Sequence, residues 1–368
     1  MLLVPPRFII CEYQNGIIPI AEFENYNSAV WGVAFSEFYK FQIQALMTED
    51  NVDILKVGRL ICDTQYGISG LIEIVNYVKN ENGSISIIAK GRTLECILSY
   101  RAISSIEIFK NTNVTTIMYN LVDKHIINPV ISERKIYGFI SSSDEQAGPI
   151  ITTQITGKNL YDFCNDLAIS HNCGFNVTID LAQSAFVFTS KSYVDKTINQ
   201  NILPPIIFSN ETEDILTDEY YINKQGYCTM AYVAGEAREG EQRTMIEVNK
   251  NPELTGFNRR ELFVDARDLQ TESGMTEQEY ENTLEQRGLT KLSENDIVES
   301  FSTKLNLSRM SFGEDFKVGD KVTIFDSDLG VTTDSLLTKA ELIISADKGV
   351  DLSVTFGNSL PSLYKRMK

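Results

Sequence analysis

Apolar positions along this chain change period at two places, and the layout follows from those two joints. In SISIIAKGRTLECILSYR, residues 84–101, Ile85, Ile87 and Ala89 alternate with Ser84, Ser86 and Ile88, the period-2 pattern of a largely buried strand. From Gly91 onward Leu94, Ile97, Leu98 and Arg101 recur at three and four, which predicts a helix hinged on Lys90-Gly91-Arg92. The second joint lies in residues 151–169. An extended ITTQIT leads through Gly157-Lys158 into NLYDFCNDLAI, where Leu160, Phe163, Cys164, Leu167 and Ala168 form one apolar stripe at helical spacing.

Around these joints the pattern is mostly β. Residues 7–90 read as seven short strands separated by turn signals: 7–13, 17–23, 30–36, 39–46, 52–62, 68–78 and the strand opening at Ser84. Gln14-Asn15-Gly16 is a tight-turn signal, and the set predicts an antiparallel barrel or sandwich. Residues 91–200 are mixed. Val114, Ile117, Met118, Leu121, Val122 and His125 share a face of a predicted helix over 114–126, with Asn113 placed to cap it and Pro129 beyond its end. Gly174–Ile179 and Ala185–Tyr193 read as a hairpin. Residues 201–360 return to β character. A predicted helix over Thr276–Lys291 interrupts them, opened by Thr276 and Glu279 at capping-box spacing. Val350, Leu352, Val354 and Phe356 alternate cleanly with Asp351, Ser353 and Thr355. The expected class is α+β, mainly β: a β domain at 1–90, a mixed middle at 91–200, a second β domain at 201–360 with a helical insertion near 270–295, and a basic tail at 361–368.

With 368 residues the chain exceeds one ordinary core. Lys and Arg total 33 against 50 Asp and Glu, a net charge of −17. That argues against tight, non-specific binding to a phosphate backbone, which needs cations to displace counterions, and acidity of this size also simply keeps a protein in solution. It suits a surface past which a polyanion slides. The six cysteines form no CxxC, and Cys62, Cys96 and Cys164 lie inside apolar patterns as small hydrophobes, so a reducing compartment is expected. MLLVPPRFII lacks a basic leader and is broken by Pro5-Pro6, unlike a signal peptide. No apolar run approaches ~18 residues, so no transmembrane helix or membrane anchor is expected.

Candidate chemistry is sparse. His125 and His171 are the only histidines, and His125 sits on an apolar stripe. Cys164, His171 and Cys173 lack paired-ligand spacing and a fourth ligand. Asp326-Ser327-Asp328 opens like a calcium loop, but Val331 and Leu337 stand where an EF-hand needs glycine and glutamate, which leaves a turn. Gly91-Arg92 and Gly157-Lys158 lack the phosphate-loop and dinucleotide glycine patterns. No catalytic, metal or cofactor residue is therefore assigned. In Gly256–Leu269, Arg259, Arg260 and Arg267 are expected to pair with Glu261, Asp265 and Asp268 and to pin an insertion or register a subunit contact.

The ordered series GRTLECILSYRAI, the helix at Val114, TGKNLYDFCNDLA with CGFNVTID, YVAGE, FNRRELFVDARDL and FKVGDKVTI resembles the siphophage-type tail hub family of phages and phage-tail-like bacteriocins. The resemblance spans roughly residues 30 to 357. It implies two tail-tube-like β-barrels in one chain and a homotrimer that mimics a six-fold ring. The partners it implies are the tail tube or distal tail protein, a spike or tip protein and other baseplate proteins. The setting it implies is a virion tail or tail-like particle assembled in the bacterial cytoplasm. The resemblance also marks Gly91, Arg92, Gly157, Arg259, Arg260, Glu261, Asp265, Gly319 and Asp320 as structural or interface residues. A peptidoglycan-degrading or glycan-binding tip protein is the alternative; it needs two carboxylates in a cleft or an aromatic platform.

Overall fold

A computed structural model of the chain describes residues 5–63, 66–81, 83–237, 242–271, 275–345 and 349–357. The first part comprises β1 (Phe8–Tyr13), β2 (Ile17–Phe23), β3 (Ser28–Ala34), β4 (Lys40–Leu46), helix α1 (Glu49–Ile54), β5 (Leu60–Asp63), β6 (Ile68–Lys79) and β7 (Ile85–Thr93). A 3-10 turn (Leu94–Tyr100) then leads into β8 (Ala102–Ile103), β9 (Glu107–Asn113), α2 (Val114–Val122), β10 (Phe139–Ser141), β11 (Ile150–Ile155), β12 (Lys158–Asn159), α3 (Leu160–His171), β13 (Cys173–Asp180) and β14 (Ala185–Ser192). The last part holds β15 (Val194–Asp195), β16 (Ile207–Ser209), β17 (Ile215–Asn223), β18 (Met230–Ala234), β19 (Met245–Asn249), β20 (Glu261–Asp265), α4 (Glu277–Glu294), β21 (Val298–Leu305), β22 (Asp320–Asp326), β23 (Val331–Ser345) and β24 (Gly349–Gly357).

Most predicted elements form where their period places them. The β1–β2 hairpin turns at Asn15, whose φ of 56° is the left-handed conformation asparagine tolerates. α4 opens on the reciprocal Thr276–Glu279 capping box, and β24 buries Leu352, Val354 and Phe356 while its alternate residues stay partly exposed. α3 carries the predicted stripe, with Leu160, Phe163, Cys164, Leu167 and Ala168 buried. Asn113 precedes α2, but its side chain bonds the Gly148 carbonyl (3.1 Å) rather than a helix N–H. The tail at 361–368 and residues 238–241 lie outside the described residues.

Two expectations change. The run 52–62 is not one strand: α1 is capped by Thr48, whose hydroxyl accepts from the Asn51 N–H, and β5 starts only at Leu60. The first joint is not at Gly91 either. β7 continues through Gly91 and Arg92 to Thr93, and a 3-10 turn rather than an α-helix follows. Gly91 stays in the strand because β4 and β6 flank it on both sides, opposite Phe41 and Ile72. Ladder bonds to two neighbours outweigh the glycine's freedom to turn.

The main sheet has 14 strands, with a path β17-β21-β24-β23-β3-β4-β7-β6-β5-β1-β2 and β15, β16 and β22 attached beside β23. The expected barrels are not seen: the chain is mostly β with several sheets, and among the described residues none closes. The path ends at β2 and β17, so closure fails because each end strand finds its partner on one side only. The two β-rich portions are joined edge to edge by β3 and β23, with Trp31 opposite Leu342 and Val33 opposite Ala340.

The interior follows the sheet. One core runs from Phe8, Trp31 and Phe41 to Phe208, Phe301 and Phe356, so both β-rich portions contribute to it. Trp31 is fully buried and stacks on Phe41 at 4.0 Å between ring centroids, a pair that adds ~1 kcal/mol beyond its area. A second core packs α2 and α3 against β13 and β14 and the back of β1 and β5. A third sets Tyr280, Leu284 and Leu292 of α4 on Val233, Val248 and Val264.

Candidate assembly interface

The nine residues singled out in the sequence fall on separate elements. Gly91 of β7 pairs with Ile72 of β6, and a β-carbon there would lie 1.8 Å from the Leu71 carbonyl oxygen. Its neighbour Arg92 donates from Nε and Nη2 to Glu73 at 2.8 and 2.6 Å, with its guanidinium 5.1 Å from the Phe38 ring centre. The paired carboxylate raises the pKa of Arg92. This two-pronged bond is specific to a guanidinium and ties β6 to β7.

Gly157 has a φ of +66° in the turn between β11 and β12, and its N–H donates to the Ile103 carbonyl at 2.8 Å. The adjacent Lys158 is paired with Asp166, so the cation of this turn is already compensated within the chain.

Gly319 (φ +98°) belongs to a different device. A β-carbon on it would lie 2.6 Å from the Phe35 ring, and one on Gly174 would lie 2.3 Å from the same ring. Phe35 is therefore held by a glycine of the middle part and a glycine of the last part. Its own backbone completes the junction: the Phe35 N–H donates to Thr338 (2.9 Å), and its carbonyl accepts from the Phe175 N–H (3.0 Å). Asp320 lies beside it, fully buried. Oδ2 of Asp320 accepts from Lys196 Nζ and the Lys317 N–H, both at 2.9 Å.

The charged segment after Gly256 forms β20, an outer strand of the three-stranded sheet β19-β18-β20. Arg259 pairs with Glu261 at 2.6 Å and also donates to the Tyr232 hydroxyl at 3.1 Å. Asp265 is bracketed by Arg267 and Arg243, each at 2.6 Å, which hold its carboxyl down to about 2. Two expected pairings differ. Arg260 donates to the Lys224 carbonyl at 3.0 Å, and Asp268 pairs with Arg287 of α4 at 2.7 Å. Alternation along β20 separates Arg260 from the acids beyond it, and α4 supplies the nearer cation. The Asp268–Arg287 bridge pins the helical insertion to the rest of its part.

The sequence reading missed Phe35 and Gly174. An isolated glycine inside a strand pattern, as in CGFNV, signals close approach of another group, but it does not say which group approaches. His125 is buried, with Nδ1 3.2 Å from Arg134 Nη2; burial and that guanidinium push its pKa down. Among the described residues no group of three His, Cys, Asp or Glu is arranged to hold a metal, and no helix is long and apolar enough to cross a membrane.

Among the described residues the path of the main sheet ends on two outer strands, β2 and β17. β2 exposes Ile18 and Ile20, and β17 exposes Leu216 and Ile222 along with Asp218 and Glu219. Such unpaired edges are templates for another chain.

The fold as a whole is shared with phage tail proteins. The tail protein from Neisseria meningitidis MC58 matches with a TM-score of 0.57 at 11% identity, over 96% of this chain and 97% of that one. The 43 kDa tail protein of prophage MuSo2 from Shewanella oneidensis matches at 0.55 and 13%, over 95% and 97%. Prophage tail protein gp18 from Listeria monocytogenes EGD-e matches at 0.53 and 12%, over 98% and 97%. No curated protein matches the sequence. The three structural matches show a fold shared with tail proteins. The chain belongs to the Siphovirus ReqiPepy6 Gp37-like protein family, which matches residues 17–358.

Proposed function

We propose that this chain is a tail hub: three copies form a pseudo-sixfold ring that joins the tail tube or distal tail protein to a central spike or tip protein. The carrying observation is the open 14-stranded sheet whose path ends on β2 in the first β-rich portion and on β17 in the last. In this reading residues 1–90 and 201–360 are the two tube-like modules and 91–200 the middle region between them. Edge strands of successive copies meet, so that three chains present six modules. The nine singled-out residues then keep the modules in register, and the β19-β18-β20 sheet with its ion pairs faces neighbouring baseplate proteins. The role is structural rather than catalytic. A net charge of −17 gives the ring a lumen that a polyanion passes without sticking.

Electron micrographs of the purified full chain test this reading. They should show rings with three-fold symmetry and a central opening. Particles without three-fold symmetry, or release of sugar or peptide from peptidoglycan by the same preparation, would overturn it.

A further inference from the structure

The two faces of α4 are spent differently. Tyr280, Leu284 and Leu292 pack on Val233, Val248 and Val264 in a core of their own. The face turned to the middle part is polar: Thr283, Gln286, Arg287 and Thr290 line a cavity of about 290 Å³ that β11 and α3 wall on the other side. The apolar side chains of that far wall, Ile151, Ile155, Phe163 and Leu167, belong to the core of the middle part. The hydrogen bonds and ion pair that cross the junction are few. Lys110 Nζ meets Glu279 at 2.8 Å, and the Ser170 and Ser293 hydroxyls bond at 2.9 Å. The Gln154 side chain accepts from the Gln270 N–H at 2.9 Å and donates to its carbonyl at 3.2 Å. Under this cover β11 holds Thr152, Thr153 and Gln154, which are polar yet buried and suited to meeting water when the cover lifts. The attachment is narrow as well. β17 and β21 pair out to Asn223 opposite Val298, and residues 224–297 leave and return through the end of that ladder. Gly226 turns the outgoing chain with a φ of +84°, and the Cys228 N–H donates to the Asn295 carbonyl at 2.9 Å where the two crossings meet.

We propose that residues 224–297 form a hinged module that swings about Lys224–Cys228 and Asn295–Ile297 and opens the cavity between α4 and β11. Its own core travels with it, so the movement gives up mainly the polar contacts above, and polar junctions between parts of one chain are those that allow relative motion. The swing re-aims the outer face of the β19-β18-β20 sheet with respect to the main sheet. It takes place within one chain and does not depend on the ring proposed above.

A removable lock tests the proposal. Ser170→Cys with Ser293→Cys in the full chain places two thiols where the hydroxyls now bond, and oxidation fastens the module to α3. Hydrogen exchange is then compared between the oxidised and reduced forms of this one chain. Amides of β11 should exchange about tenfold more slowly in the oxidised form, while amides of β18, inside the module, and of β24, in the main sheet, exchange alike in both. Equal exchange of β11 in the two forms, or equal slowing of β11, β18 and β24, overturns the proposal. If the variant does not fold or the cross-link does not form, the unaltered chain decides: β11 amides should open at least about tenfold more readily than those of β18, and equal protection of the two strands overturns the proposal.

Discussion

Trp31 of β3 stands directly opposite Leu342 of β23 in antiparallel register, and both side chains are buried in one core. Residues from the two ends of the chain therefore share a ladder and an interior. Trp31→Ala removes the largest fully buried side chain and its stacking on Phe41, so a loss of about 3–5 kcal/mol is expected. The loss should spread to both β-rich portions. Hydrogen exchange checks this: amides of β7 and of β24 should both lose protection, and a loss confined to β7 would contradict a shared core.

Gly91→Ala tests the close packing of β7 beside β6. The new methyl would meet the Leu71 carbonyl oxygen at 1.8 Å, and a backbone atom cannot swing aside as a side chain can. Destabilisation at or above the upper end of the ~1–3 kcal/mol typical of overpacking is expected. Urea unfolding measures it, and a change below about 0.5 kcal/mol would mean that the strands separate easily here.

Glu95 predicts a pH dependence. Burial pushes its carboxyl up from 4.5 to about 7, so the folded chain holds this proton more tightly than the unfolded chain does. The associated stability is fully present below pH 4.5 and is lost as pH rises through about 7, by on the order of 3 kcal/mol. Glu95→Gln should flatten that part of the profile. Unfolding midpoints compared across this window check it; an unchanged slope in the variant would assign the dependence to other groups.

Thr276→Ala removes half of the reciprocal cap on α4 and should cost about 1 kcal/mol. The effect should appear as faster exchange of amides in the first turn of α4, leaving the main sheet unchanged. Faster exchange in β3 or β23 would show that the insertion is coupled to the sheet.

Much of this architecture was legible in the sequence, because period and turn chemistry are local. The β1–β2 hairpin follows from Asn15-Gly16, the start of α4 from Thr276 and Glu279, and the inward face of β24 from strict alternation. Boundaries failed where context decides: Gly91 reads as a hinge until β4 and β6 hold it in a strand, and the run 52–62 begins inside the short helix that Thr48 caps. Pairings over long sequence separation were not legible. Nothing near Val33 indicates that Ala340 will lie beside it, and nothing near Phe35 names Gly174 and Gly319 as its clamps. The charged run after Gly256 shows the same limit, since Asp268 takes its cation from Arg287 of another element.

The central claim is that the open sheet completes itself in a three-copy ring. Sedimentation equilibrium of the purified full chain, across micromolar concentrations, measures it most directly. The account predicts a mass of three chains at the upper end of that range. A mass of one or two chains throughout would contradict it.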